Sequence, residues 1–299
     1  MNKLAFDFSP LEELLDEKFR SRGLRVFVKR DDLLHPEVSG NKWRKLKYHI
    51  QAYQKGAYQG ILSFGGAFSN HLAATAAACH ELGIKSVGII RGKHVDIGNP
   101  TLSHCMEHGM ELRPVSIAEY DKYARNAIAF PGYESFMKII EGGEGKLGVK
   151  GCSEIKDEIE EDFDAIMVPI GTGTSFIGVL ESLEQNQKII GVSAVKGADI
   201  HSYIEEKIVT YELPKSSNWT VIEENYFGGF AKVDKSLLDF KKDFEAKHGI
   251  VLDYIYTAKM FYHLFRLIEE AYFKEGSKII CIHTGGIQGN KGMEMRLKL

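Results

Sequence analysis

The chain is poor in cysteine, in charge imbalance and in long apolar runs, and each shortage closes off a class of protein. Its four cysteines among 299 residues, Cys79, Cys105, Cys152 and Cys281, are scattered. None forms a Cys-x-x-Cys pair, so neither a disulfide framework nor a zinc site is expected and no metal is assigned. Cys79, within alanine-rich sequence, reads as a small core residue. A formal net charge of −3 and a sequence pI near 6.4 give no electrostatic footing for nucleic acid. A membrane span is missing too. Within residues 1–25, Asp7, Glu12, Glu13, Asp16 and Glu17 interrupt every stretch that could serve as the apolar part of a leader. The expectation is a cytoplasmic protein whose partner is a small molecule.

The remaining composition is ordinary, 44% hydrophobic and 26% charged, enough for one large or two medium cores. Short β-branched runs at Val26–Lys29, Ile61–Phe64, Val87–Arg91, Ala165–Ile170, Ile189–Val195 and Ile279–His283 read as buried strands. Between them, Asn70–Leu82, Ser153–Asp162, Phe176–Gln185, Ser236–His248 and Thr257–Lys274 have helical length and period. The alternation predicts an α/β protein with mostly parallel sheets. Neither a fixed-period repeat nor a low-complexity linker is visible. The glycine-rich stretch from Pro131 to Gly151 shows no clear strand and reads as a domain crossover or a segment over a site.

Chemistry is concentrated where strands pass into helices. After an extended run ending in Lys29-Arg30-Asp31-Asp32-Leu33, the chain turns through Ser39-Gly40-Asn41 into a basic helix beginning Lys42-Trp43-Arg44-Lys45. Like charges beside Lys42 would depress its pKa and make it a candidate nucleophilic amine. The competing reading is a solvated basic helix face, with Lys42, Arg44, Lys45 and Lys47 all pointing at water.

Three glycine-rich turns leave strands at the ends where parallel sheets gather ligands. Gly65-Gly66-Ala67-Phe68-Ser69-Asn70-His71 would seat a carboxylate at a helix N-terminus, unless Ser69 or Asn70 is an ordinary cap. Gly171-Thr172-Gly173-Thr174-Ser175 suits a phosphate held by amides and hydroxyls without a cation. A Walker loop is excluded there by the missing Gly-Lys-Ser/Thr, and a dinucleotide fingerprint is weak because the next strand ends without an acidic residue. Finally, His283-Thr284-Gly285-Gly286 offers a neutral hydroxyl at a strand end. A lysine nucleophile, a phosphate seat, a carboxylate seat and a neutral hydroxyl partner point together to pyridoxal 5′-phosphate.

With these motifs and Leu252-Asp253-x-x-Tyr256-Thr257-x-Lys259, the sequence resembles the 1-aminocyclopropane-1-carboxylate deaminase and D-cysteine desulfhydrase family, over about Pro10 to Gly286. That resemblance implies a tryptophan-synthase-β-like fold of type II, with two open twisted sheets. Its smaller domain would be residues 45–152, carrying Ser69-Asn70-His71, and its larger one residues 1–44 and 153–299. It also implies Lys42 as the lysine bonded to the cofactor, Asn70 on the ring hydroxyl, Gly171, Thr172, Gly173 and Thr174 around the phosphate, and Thr284 by the ring. Ser69, Asn70, His71 and Tyr256 would meet the substrate, with Lys42, Ser69 and Tyr256 catalytic. A homodimer is implied by the resemblance alone.

Ring-opening deaminases of the family carry glutamate after the tyrosine and leucine before the late Gly-Gly pair, whereas desulfhydrases carry small hydroxyl residues at both positions. This chain has Thr257 and Thr284. A carboxylate near the pyridine nitrogen makes the ring a stronger electron sink, which expulsion of sulfide needs less than ring opening does. The expectation is therefore β-elimination on a small D-amino acid, D-cysteine giving pyruvate, hydrogen sulfide and ammonia, with ring opening to α-ketobutyrate as the alternative. A racemase or dehydratase and a non-catalytic binding homologue are remoter readings; the retained Lys42 argues against the last. Departures from the family pattern are Phe230 for the usual tyrosine, Trp43 after the lysine where threonine is common, and a shorter chain.

Overall fold

In the computed structural model, residues 8–126, 128–194, 199–213, 218–223, 227–229 and 231–298 are described. Their strands are β1 Leu11–Glu13, β2 Arg25–Lys29, β3 Ile61–Gly65, β4 Ser86–Arg91, β5 Glu111–Val115, β6 Met137–Ile139, β7 Ala165–Ile170, β8 Lys188–Ser193, β9 Trp219–Ile222 and β10 Lys278–Ile282. The helices are α1 Glu17–Arg20, α2 Asn41–Lys55, α3 Asn70–Leu82, α4 Pro100–Glu107, α5 Ile117–Ala124 and α6 Lys146–Asp157, then α7 Thr174–Ser182, α8 Ile200–Thr210, α9 Lys235–His248, α10 Thr257–Glu269 and α11 Asn290–Leu297. No helix among the described residues is long and apolar enough to cross a membrane.

Two compact units result. Leu34–Gly151 with the chain from Gln288 makes the first, and Phe8–Leu33 with Cys152–Ile287 the second. The breaks after Leu33 and after Gly151 differ from the expected ones at 44/45 and 152/153, and the terminal helix α11 belongs with the first unit. Lys42 therefore shares a unit with Ser69, Asn70 and His71.

The first unit holds a four-stranded parallel sheet in the order β5-β4-β3-β6. Against β3 lies α3, whose alanines present little bulk; nine of its thirteen residues are buried. Ser69 caps its start by accepting from the Leu72 amide at 3.2 Å, and Gly83, at φ +67°, ends it in the left-handed conformation. Cys79 sits in the core with Leu46, Ile50 and Ile61. Burial raises its thiol to about 12, so it behaves as the small core residue expected.

The second unit holds a six-stranded sheet, β1-β2-β10-β7-β8-β9, parallel except for the edge strand β1. Its central strands β7 and β10 are buried almost throughout, which is why they read as continuous apolar runs. Pro169 is tolerated because the β7–β10 ladder stops at Met167, two residues before the nitrogen that has no hydrogen to give. Eight residues of α10 are buried, among them Met260, Phe261 and Leu264, which join Phe244 and Leu252 in the main core.

The expected α/β architecture with two mostly parallel sheets is what the chain adopts. Ala165–Ile170 and Asn70–Leu82 fall on β7 and α3 residue for residue. The strand expected at Ile189–Val195 is observed to Ser193, and Val195 lies outside the described residues. Edge strands β5 and β9 were not legible because edges need no apolar run; β5 reads Glu-Leu-Arg-Pro-Val with three exposed residues. The stretch 131–151 departs most from expectation. It contains β6, paired with β3, and the first half of α6, which starts at Lys146 rather than Ser153. Gly148 and Gly151 lower helix propensity and so disguise α6. Gly151 is there for packing: a β-carbon on it would lie 1.8 Å from the Arg44 carbonyl oxygen of α2.

Candidate active site

In the first unit, Gly40 precedes α2 with φ +64° and ψ −145°, a conformation essentially reserved for glycine. That turn brings Asn41 and Lys42 to the helix start, and Lys42 Nζ donates to Asn41 Oδ1. The basic run is not a solvated face. Arg44 and Lys45 are buried, and Lys42 and Lys47 are half-buried.

Ser69, Asn70 and His71 begin α3. Gly65 leaves room for the cap, since a β-carbon there would come within 2.5 Å of Ser69 Oγ. In the same way Gly289 accommodates the Asn70 amide, whose Oδ1 would be 2.9 Å from an added β-carbon. His71 is buried, with Nε2 2.9 Å from Ser63 Oγ; Ser63 in turn donates to the Ile139 carbonyl at 2.9 Å. The serine hydrogen being committed there, His71 Nε2 is the donor, and Nδ1 is an acceptor that meets no hydrogen-bond partner among the described residues. Burial, reinforced by Lys42 and Lys45, holds this imidazole well below its ordinary pKa. His49 is likewise pushed down to about 4 by burial. Both rings are neutral at pH 7.

In the second unit, Gly171–Thr174 links β7 to α7. Gly173, at φ +76°, turns the chain so that the loop runs straight into the helix N-terminus, where backbone amides favour a phosphate. Thr172 Oγ1 and Thr174 Oγ1 are 3.0 Å apart. From α8, Tyr203 donates to the Thr172 carbonyl at 3.1 Å, and a β-carbon on Gly173 would meet Ile204, Lys207 and Tyr203 at 3.3–3.5 Å. The Lys207 ammonium lies 4.6 Å from the Tyr203 ring centroid. Sequence reasoning missed Tyr203 and Lys207; their i,i+4 spacing carries no motif, and only the fold brings α8 to this loop.

Asp253 was also undervalued. Its carboxylate accepts from the amides of Ile255, Tyr256 and Thr257 at 2.7–3.0 Å and from Thr257 Oγ1 at 2.8 Å, while Thr257 Oγ1 accepts from the Asp253 amide at 2.8 Å. This knot fixes the start of α10 and aims Tyr256 at the Gly171–Thr174 loop, its hydroxyl 3.2 Å from where a Gly171 β-carbon would be. Thr257 is fully buried and its hydroxyl is spent on Asp253. Lys259, also buried, donates to the Gly229 carbonyl at 2.8 Å and is lowered to about 8 by burial. Phe230 lies outside the described residues. Trp43 packs on the core around Leu46 and Ile50.

Thr284 is buried just beyond β10. Beside it, His283 Nε2 lies 2.7 Å from the Val251 carbonyl and Nδ1 accepts from the Gly285 amide at 3.2 Å. Both nitrogens of His283 are thus occupied in holding the strand end.

A glycine-threonine cradle at a helix N-terminus and a withdrawn lysine at another, each in a mostly parallel α/β unit, define the architecture of fold-type-II pyridoxal-phosphate proteins. The chain belongs to the pyridoxal-phosphate dependent enzyme family, whose profile matches residues 7–285. A Thermotoga maritima protein provisionally named 1-aminocyclopropane-1-carboxylate deaminase is 33% identical, over 95% of this chain and 94% of the relative. The bifunctional mitochondrial D-cysteine desulfhydrase/1-aminocyclopropane-1-carboxylate deaminase of Arabidopsis thaliana is 28% identical over 89% and 73%. Among solved structures, a homologue of 1-aminocyclopropane-1-carboxylate deaminase superposes with a TM-score of 0.81 at 24% identity, covering 99% of this chain and 94% of that one. The cofactor is pyridoxal 5′-phosphate, and the Gly171–Thr174 loop, which runs into the α7 N-terminus with Thr172 Oγ1 and Thr174 Oγ1 3.0 Å apart, fits a phosphomonoester.

Proposed function

We propose that this enzyme eliminates the β-substituent of a small D-amino acid, converting D-cysteine and water to pyruvate, hydrogen sulfide and ammonia. Lys42 is the amine that holds the cofactor and, once released, removes the substrate's α-proton at Nζ. Gly171, Thr172, Gly173 and Thr174 hold the phosphate through amides and hydroxyls. Asn70 and Thr284 serve the ring, Ser69 with the neighbouring amides seats the substrate carboxylate, His71 supports that seat, and Tyr256 serves as proton donor to the leaving group. Bound pyridoxal phosphate supplies the electrophilic carbon and the electron sink. The protein's part is to orient the α-hydrogen, exclude water and manage two protons.

Thr257 carries the choice of activity. A neutral residue stands where ring-opening deaminases of the resembled family have glutamate, and its hydroxyl is bonded to Asp253 at 2.8 Å. Without that extra carboxylate, the demand on the sink favours expelling a good leaving group over breaking a carbon ring. Ring opening of 1-aminocyclopropane-1-carboxylate is the second reading, supported by the names of the relatives. The same family resemblance underlies the proposal that the enzyme works as a cytoplasmic homodimer.

The test is a direct competition. Holoenzyme should release sulfide and pyruvate from D-cysteine much faster than α-ketobutyrate from 1-aminocyclopropane-1-carboxylate. Efficient ring opening with D-cysteine untouched overturns the elimination reading in favour of the second.

A further inference from the structure

Away from these residues, the first unit carries a cluster that the cofactor chemistry leaves unused. His104, in the last turn of α4, and His108, its C-cap, are four residues apart and lie on one helix face, with ring centroids 4.2 Å apart. Facing them is Glu37, from the segment between β2 and α2. The three side chains offer ligand atoms that all lie within 4.8 Å of one another and are only 16–40% exposed.

Hydrogen bonding decides what this cluster can take. His108 Nδ1 is 2.9 Å from the His104 carbonyl, which can only accept, so that nitrogen carries the hydrogen. Nε2 faces the Glu37 carboxylate oxygen at 3.2 Å, a pair that either a second proton on the ring or a cation shared by the two atoms holds together. A separation of about 3.0–3.4 Å is what two neighbouring ligands on an ion with bonds of about 2.0–2.1 Å subtend. His104 Nδ1, 4.0 Å from the same oxygen, completes the set with a small side-chain rotation. Nδ1–H bonded to a backbone carbonyl is also how metal-binding histidines are oriented, and the carbonyl end of α4 favours a cation.

The segment bearing Glu37 is fixed by His35. His35 Nδ1 accepts from the Glu37 and Val38 amides at 3.1 and 3.0 Å, and its Nε2 faces Glu81 Oε1 at 3.3 Å. His80 packs edge-on against His108 with centroids 5.3 Å apart. We propose that Glu37, His104 and His108 form a site for a divalent transition-metal ion of the zinc class, which clasps α4 to the segment leading into Lys42. Two imidazoles and one carboxylate select zinc, nickel or cobalt over magnesium or calcium. Water fills the remaining positions.

The experiment uses untagged holoenzyme freed of metal with a chelator and titrated with zinc or cobalt(II) by calorimetry and visible absorption. One equivalent should bind, cobalt should give d–d bands, and zinc should raise the melting temperature. His104→Gln and His108→Gln should each weaken binding about tenfold or more, Glu37→Gln by about tenfold, and the melting response should vanish with them. Absence of saturable binding by the wild type overturns the proposal. So does binding unchanged in both histidine variants, which would mean that the metal is held by the cofactor or elsewhere.

Discussion

Replacing Thr257 by glutamate reads from sequence as a route to ring-opening activity, but the structure predicts that it first damages the fold. Thr257 is fully buried and Asp253 only 2% exposed. The hydroxyl and the Asp253 carboxylate are 2.8 Å apart, so a glutamate must bury a second carboxylate against the first. Two such charges about 4 Å apart repel by about 4 kcal/mol at an effective dielectric near 20. Losing the acceptor of the Asp253 amide adds about 1–3 kcal/mol unless the new side chain replaces it. At pH 8, Thr257→Glu should therefore unfold in urea with a stability about 4 kcal/mol or more below the wild type, and lose turnover on both substrates. Thr257→Gln, without the charge, should lose less. Pairing Thr257→Glu with Asp253→Asn should recover most of the electrostatic part, and only in that background should adding Thr284→Leu shift the product ratio towards α-ketobutyrate. A single Thr257→Glu protein within 1 kcal/mol of wild type at pH 8, by about the precision of such unfolding curves, would refute this account of the Asp253–Thr257 knot.

Borohydride reduction of holoenzyme should fix the cofactor on the peptide containing Lys42; labelling of Lys259, a buried amine lowered to about 8, would displace Lys42 from its proposed role. Gly173→Asp should reduce cofactor content at limiting pyridoxal phosphate by more than tenfold, because the left-handed φ of +76° disfavours a side chain and the added charge repels the phosphate; content equal to wild type would move the phosphate elsewhere. His49 sets a pH dependence. Its pKa falls from 6.5 to about 4 on folding, so the stability it lends is full above about pH 6.5 and is lost as pH drops towards 4, with about 2 kcal/mol gone by pH 5. A neutral His49→Gln variant should show a correspondingly flatter fall in urea stability between pH 7 and 5, and an identical slope would refute the assignment.

What the sequence determined by itself is local in origin. β7 and α3 were legible to the residue because continuous β-branched burial and a capped alanine-rich period are written within a few positions. The Gly171–Thr174 loop and the Gly40-Asn41-Lys42 turn were legible for the same reason, since conformations open almost only to glycine leave glycine in the chain. Tertiary structure decided everything that depends on which distant segments meet. It made Gly151 a helix contact instead of a loop residue, withdrew Arg44 and Lys45 from water, and set Tyr203 and Lys207 beside the Gly171–Thr174 loop. The same packing committed the Thr257 hydroxyl to Asp253 and brought Glu37 to His104 and His108. Burial and hydrogen-bond partnership are properties of packed neighbours, and a periodicity or spacing rule reads only neighbours along the chain.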